Sequence, residues 1–197
     1  MSDSECNTKK QMVLFFIICT SSSMQGTKIG AVNTAIRELL PELKGTAGVD
    51  VELKVACLTF STGCKWMYPI PINSENFQWT NVEADGKHDL GAACRELNKK
   101  LSKDGFLTLP PHSVAPVIVL MNDGKATDDF DSELKFLKQN KWFKYAIKVA
   151  VAIGDDANKN ELAEFTGNIE SVVTVLTPEA LKKWIRKVEL EDFDENW

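Results

Sequence analysis

Three short segments hold the residue types that bind ions or activate nucleophiles. They are Cys19-Thr20-Ser21-Ser22-Ser23-Met24-Gln25-Gly26, Ala84-Asp85-Gly86-Lys87-His88-Asp89-Leu90 and Asn122-Asp123-Gly124-Lys125-Ala126-Thr127-Asp128-Asp129. The first lies ahead of a helical pattern, where hydroxyls can cradle a phosphate at a helix N-terminus or give oxygens to a cation. A thiol in that place would have a lowered pKa. Nucleophilic chemistry finds no further support: a phosphate-gripping Cys-x5-Arg loop needs an arginine where Gln25 stands, and the histidines, His88 and His112, fall in no Ser-His-Asp spacing. Each group also has a plainer reading. Cys19 serves as a small apolar residue closing a strand, Ser21 to Ser23 as helix caps, and Asp123-Gly124 as a common turn dipeptide. What singles out Cys19, the serines and Asp123 is position, each at the end of an apolar run.

The elements that position them follow from periodicity. Residues 12–18 (MVLFFII) read as a strand covered on both faces, hence central and parallel. Ile29, Val32, Ala35, Ile36, Leu39 and Leu40 form one helical stripe, expected to end before Pro41 and Gly45. Residues 51–60 (VELKVACLTF) are a second strand with a turn at 61–63. Pro69 and Pro71 limit residues 67–72 to an edge strand or an extended loop. Leu90, Ala93, Cys94, Leu97 and Leu101 mark a helix, followed by a turn-rich connection at 105–112 and a third buried strand at 117–121. Leu134, Phe136, Leu137 and Trp142 suggest one short helix, residues 146–153 a fourth core strand, 160–166 a helix ended by Gly167, and 172–176 a fifth strand. Thr177-Pro178 opens a last helix with the stripe Leu181, Trp184, Ile185 and Val188.

Strands alternating with helices give an α/β class: one doubly wound, mostly parallel sheet with helices on both faces. In such folds ligands bind beyond the carboxyl ends of the strands where strand order reverses, which selects the loops after Ile18, Phe60 and Met121. The expected organisation is an N-terminal tail (1–9), a single domain (10–188) and an acidic tail (189–197, ELEDFDENW). That tail reads either as a frayed terminus or as a segment docking on a basic groove.

A net charge of -5 argues against nucleic acid, and the basic clusters at Lys99, Lys100 and Lys103 and at Lys182, Lys183, Arg186 and Lys187 read as solvated faces. A hydrophobic fraction of 44% and a charged fraction of 26% fit a soluble globular chain. Five cysteines without a CxxC pair suit a reducing cytoplasm, and residues 12–18 are too short to cross a bilayer.

Three stretches, FFIICTSSSMQGTKIGAVNTAIRELL, ADGKHDLGAAC and VIVLMNDGKATDDF, together resemble a von Willebrand factor A (vWA) domain, closest to the bacterial TerY-like group associated with tellurite resistance. The resemblance spans roughly residues 10–187, and VAVAIGDDANKNELAEFTG resembles the late strand and helix of the same group. It implies a divalent-cation site on top of the sheet, the metal-ion-dependent adhesion site. Carried over by position, Ser21, Ser23 and Asp123 match, whereas the first aspartate of that site is Cys19 and its threonine is His88.

Mg²⁺ demands oxygen ligands and depends on one or two carboxylates, so a thiol and an imidazole suit it poorly; Zn²⁺ accepts both. The expectation is a degenerate site with no cofactor, in which Lys87 supplies the missing positive charge. A divalent cation, Mg²⁺ or a repurposed Zn²⁺ on Cys19, His88 and Asp123, stays open. The resemblance implies a cytoplasmic, non-enzymatic module that binds another protein, without nucleic acid or membrane, in a bacterial stress or tellurite-resistance-type system. Partner contacts are expected at Ser21, Ser23, Met24, Lys87, His88 and Asp123. The competing reading is a flavodoxin-like nucleotide or flavin binder, with Thr20 to Ser23, Gly26 and Thr27 as the cradle.

Overall fold

A computed structural model describes residues 9–108 and 112–189. In chain order the elements are β1 (Lys10–Cys19), a 3-10 turn (Ser22–Met24), α1 (Thr27–Leu43), β2 (Val51–Ser61), β3 (Gly63–Trp66), β4 (Ile72–Asn73), α2 (Leu90–Lys100), β5 (Val117–Asn122), α3 (Phe130–Leu137), α4 (Lys141–Tyr145), β6 (Ile147–Ala152), α5 (Lys159–Thr166), β7 (Val172–Val173) and α6 (Pro178–Glu189). The acidic tail expected beyond residue 189 and the N-terminal tail before residue 9 lie outside the described residues.

The strands form a sheet in the order β3-β2-β1-β5-β6-β7, with β4 also paired to β2. All pairings from β2 to β7 are parallel, and only the short β3 and β4 run antiparallel, on the outer edge of β2. β1 is central, and every residue from Met12 to Cys19 is buried, which is why its sequence is apolar without alternation. The chain moves from β1 to β2 on one side, then crosses through α2 to β5 on the other. Strand order therefore reverses between β1 and β5. The carboxyl ends of these two strands, at Cys19 and Asn122, open onto the crevice where α/β folds place their sites.

α1 packs against α6, and α2 against α3. Leu181, Ile185 and Val188 of α6 are fully buried, as their spacing required. Thr177 caps that helix, its Oγ1 accepting from the Ala180 amide at 3.2 Å.

Four boundaries differ from expectation, each for a local reason. α1 runs through Pro41 to Leu43, because burial of Leu40 and Leu43 holds the last turn although proline removes one backbone donor. The stripe around Leu134 to Trp142 is two helices. Asn140 divides them: its Oδ1 accepts from the amides of Trp142 (2.9 Å) and Phe143 (3.4 Å), while its Nδ2 donates to Asn98 Oδ1 at 2.8 Å. β7 keeps only two residues in the sheet, and Val175 is 69% exposed beyond it. β3 was not expected; Gly63, at φ 74°, allows the tight reversal that pairs Ser61 with Gly63 and Phe60 with Cys64.

Asn33 on α1 fixes the long segment that returns from the sheet edge to α2. Its Oδ1 accepts from Trp79 Nε1 (3.1 Å) and the Val82 amide (2.9 Å), and its Nδ2 donates to the Val82 carbonyl (2.9 Å). Removing the amide strands several polar groups against the helix. We predict that Asn33→Ala lowers unfolding free energy by about 1–3 kcal/mol, read from the urea midpoint at unchanged slope. A loss within about 0.5 kcal/mol, the range of an ordinary surface substitution, would contradict this anchoring role.

Candidate functional site

Three loops meet over the crevice and are bonded to one another through their backbones. The Asp85 amide donates to the Thr20 carbonyl at 2.8 Å, the Ser22 amide to the Gly86 carbonyl at 3.1 Å, and the Thr127 amide to the His88 carbonyl at 2.8 Å. The Gly86 amide donates in return to Ser22 Oγ (3.0 Å), and the His88 amide to Thr127 Oγ1 (3.1 Å). Two carboxylates secure the third loop from outside. Asp128 accepts from the amides of Gly91 (2.8 Å) and Ala92 (2.7 Å) at the start of α2, and Glu161 of α5 accepts from the Ala126 amide at 2.9 Å. Burial raises the Glu161 carboxyl above its ordinary range, with the Ala126 bond acting against it.

Cys19, Ser21, Ser23, His88 and Asp123 converge in this frame. Cys19 Sγ lies 3.1 Å from Ser21 Oγ, 3.6 Å from His88 Nδ1 and 3.9 Å from Asp123 Oδ1. Ser21 Oγ is 2.8 Å from Ser23 Oγ and 3.3 Å from His88 Nδ1, and Ser23 donates to Asp123 Oδ1 at 2.9 Å. Cys19, Ser21, His88 and Asp123 are buried, and Ser23 is the exposed member. Burial pushes the Cys19 thiol up to about 11, against the hydrogen bonds from Ser21, so it is a neutral thiol and the reverse of an activated nucleophile. Burial likewise lowers the His88 pKa, although the charge of Asp123 and a polar contact with Asn122 oppose it. Its Nε2 is buried without a well-formed hydrogen bond.

The positive charge on this site comes from Lys28, which the sequence reading did not single out, and not from Lys87. Lys28 Nζ stands 2.9 Å from Asp123 Oδ2 and 2.9 Å from Asp156 Oδ1. The Asp123 side chain is 1% exposed, that of Lys28 21%. Burial acts to lower the Lys28 ammonium, but the bonds from Asp156 and Asp123 outweigh it and hold its pKa above the ordinary value. Gly154 makes room for the lysine stem: a Cβ there would sit 2.7 Å from Lys28 Cε. One signal was available in the sequence, since a lysine in the first turn of a helix opposes the macrodipole and needs a local partner. Lys87 is exposed, and its backbone amide donates to Thr62 Oγ1 at 3.0 Å.

One further expectation is corrected. Met24 is fully buried in the core and offers nothing to a partner. In the expected flavin or phosphate cradle the hydroxyls of Thr20 to Ser23 are not free but engaged within the protein: Thr20 Oγ1 with the Phe60 carbonyl, Ser22 Oγ with Asp85, and Ser21 and Ser23 with each other. For Mg²⁺ the donor set does not fit: one carboxylate, half of it occupied by an ammonium, beside a thiol and an imidazole.

The Lys28–Asp123 pair generates a prediction. Lys28→Met leaves a buried carboxylate unpaired and is expected to cost about 1–3 kcal/mol in unfolding free energy. Adding Asp123→Asn to that variant recovers most of the loss. Equal losses that simply add in the double variant would show that the two side chains do not act as a pair.

No protein-family model matches the chain. No curated protein matches it. Solved structures do. Proximal thread matrix protein 1 from the mussel byssus superposes with a TM-score of 0.64 at 18% identity, over 91% of this chain and 47% of that one. A von Willebrand factor type A protein from Catenulispora acidiphila gives 0.63 at 17% identity, over 90% and 42%. The conserved hypothetical protein BatB from Bacteroides thetaiotaomicron gives 0.62 at 13% identity, over 91% and 100%. The chain thus spans less than half the length of the first two. In another structure of the mussel protein, the metal-ion-dependent adhesion site is occupied by zinc. At such identities the likeness concerns architecture, and this chain has the fold of a von Willebrand factor type A domain.

Proposed function

We propose that this chain is a non-enzymatic protein-interaction module of the vWA type whose partner binding does not depend on Mg²⁺. The observation that carries the reading is the Lys28 ammonium 2.9 Å from Asp123 Oδ2. In the domains that the sequence resembles, a cation neutralises the aspartates and takes its last ligand from an acidic partner side chain. Here an internal cation neutralises the surviving carboxylate. The neutral Cys19 thiol, raised by burial, and the burial of Ser21 and His88 beside it support a role without catalysis. The partner is another protein, met by the exposed rim around Ser23 and Lys87, while Ser21, His88 and Asp123 shape the floor beneath it. Similarity to the TerY-like group extends the proposal to a cytoplasmic role in a bacterial stress or tellurite-resistance-type system.

A second reading is favoured by one specific arrangement, the convergence of Cys19, His88 and Asp123, and by the zinc in the mussel protein's corresponding site. It concerns a softer ion than Mg²⁺.

The proposal is tested by affinity capture from cells that produce the chain. Bait stripped with EDTA and dialysed should retain the same partner proteins whether or not millimolar Mg²⁺ is added back. A rim substitution, Ser23→Arg, should reduce capture, because bulk at a contact face blocks docking. Capture seen only after Mg²⁺ is restored would overturn the proposal.

A further inference from the structure

Asp123 presents two oxygens to two different environments. Oδ2 faces Lys28, and Oδ1 faces Cys19 and Ser23. We propose that Cys19 Sγ, His88 Nδ1 and Asp123 Oδ1 form a site for a soft divalent cation of the Zn²⁺ class, while Lys28 stays on Oδ2. The inference rests on the Lys28 pairing described above but not on any partner.

Zinc takes thiolate sulfur at about 2.3 Å and imidazole nitrogen or carboxylate oxygen at about 2.0–2.2 Å in a tetrahedron, which sets its ligands roughly 3.3–3.8 Å apart. The Sγ to Nδ1 distance is 3.6 Å and the Sγ to Oδ1 distance 3.9 Å. All three ligand atoms lie within 4.8 Å of one another. Side chains already so spaced, on loops bonded to one another, need little rearrangement to close on an ion. His88 is only 5% exposed, and its Nδ1 already faces Cys19 Sγ and Ser21 Oγ.

Charge also closes. Binding displaces the Cys19 proton to solvent, so thiolate and carboxylate together cancel the two charges of the ion. Lys28 remains balanced by Asp156 at 2.9 Å. Three protein ligands leave a fourth position, for which Ser23 Oγ or water is at hand on the exposed side. The ion would lie beneath the rim and tie the first, second and third loops together.

The test uses the full reduced chain and Co²⁺ as a spectroscopic probe. Titration should produce a near-ultraviolet thiolate-to-cobalt charge-transfer band at one equivalent, and Zn²⁺ should abolish it. Cys19→Ala removes the band, His88→Gln weakens cobalt binding at least tenfold, and Cys6→Ser with Cys64→Ser leaves the band intact. Far-ultraviolet circular dichroism verifies that each variant is folded. Absence of the band from the native chain overturns the proposal, as does a band that survives Cys19→Ala or is lost with Cys6 and Cys64. This failure is distinct from that of the proposed function, which fails if partner capture requires Mg²⁺ whatever cobalt does.

Discussion

A carboxylate buried at the switch point of a parallel sheet needs a positive charge, and in this domain the chain supplies it from its own first helix. Asp123 sits at the end of β5 with its side chain 1% exposed. Burying such a group uncompensated costs several kcal/mol, more than a single domain can lightly lose from its total of about 5–15 kcal/mol. Lys28 reaches it from the start of α1, and Asp156 holds the ammonium from the loop after β6. One lysine thereby ties together the ends of three elements that the sheet topology brings to the same edge.

The rest of the site is arranged to make that charge sufficient. Hydroxyls of Ser21 and Ser23 bond to each other and to Asp123, and the Cys19 thiol stays protonated in the core. Of the oxygen donors a hard cation would need, Asp123 is the one carboxylate, and Lys28 already holds its Oδ2. Cys19 and His88 gather instead on the side of the opposite oxygen of the same carboxylate, so in the proposed site an internal ammonium and a thiophilic ion would not compete for one oxygen.

Most of this architecture was legible because it rests on local patterns. The uninterrupted apolar run of β1, the stripe of α6 and the Gly167 cap follow from burial on two faces, from helical period and from a left-handed backbone. Cys19, Ser21, Ser23, His88 and Asp123 were placed together from three loops, and the structure sets them within hydrogen-bonding range. Lys28 was not legible in the same way, since its partner lies 95 residues away and the glycine that admits its stem belongs to a third loop. Met24 looked like a loop residue, yet the 3-10 turn folds it inward to full burial. Pro41 looked like a stop, but the packing of Leu43 carries the helix past it.

The central claim, that Lys28 and not Mg²⁺ neutralises the buried Asp123 carboxylate, is tested most directly by melting temperature with and without millimolar Mg²⁺. The native chain is compared with a variant carrying Cys19→Asp, His88→Thr and Lys28→Ala. The account predicts no shift for the native chain and a rise for the variant, because ligand binding to the folded state alone raises stability. A native chain stabilised by Mg²⁺ as much as the variant would contradict it.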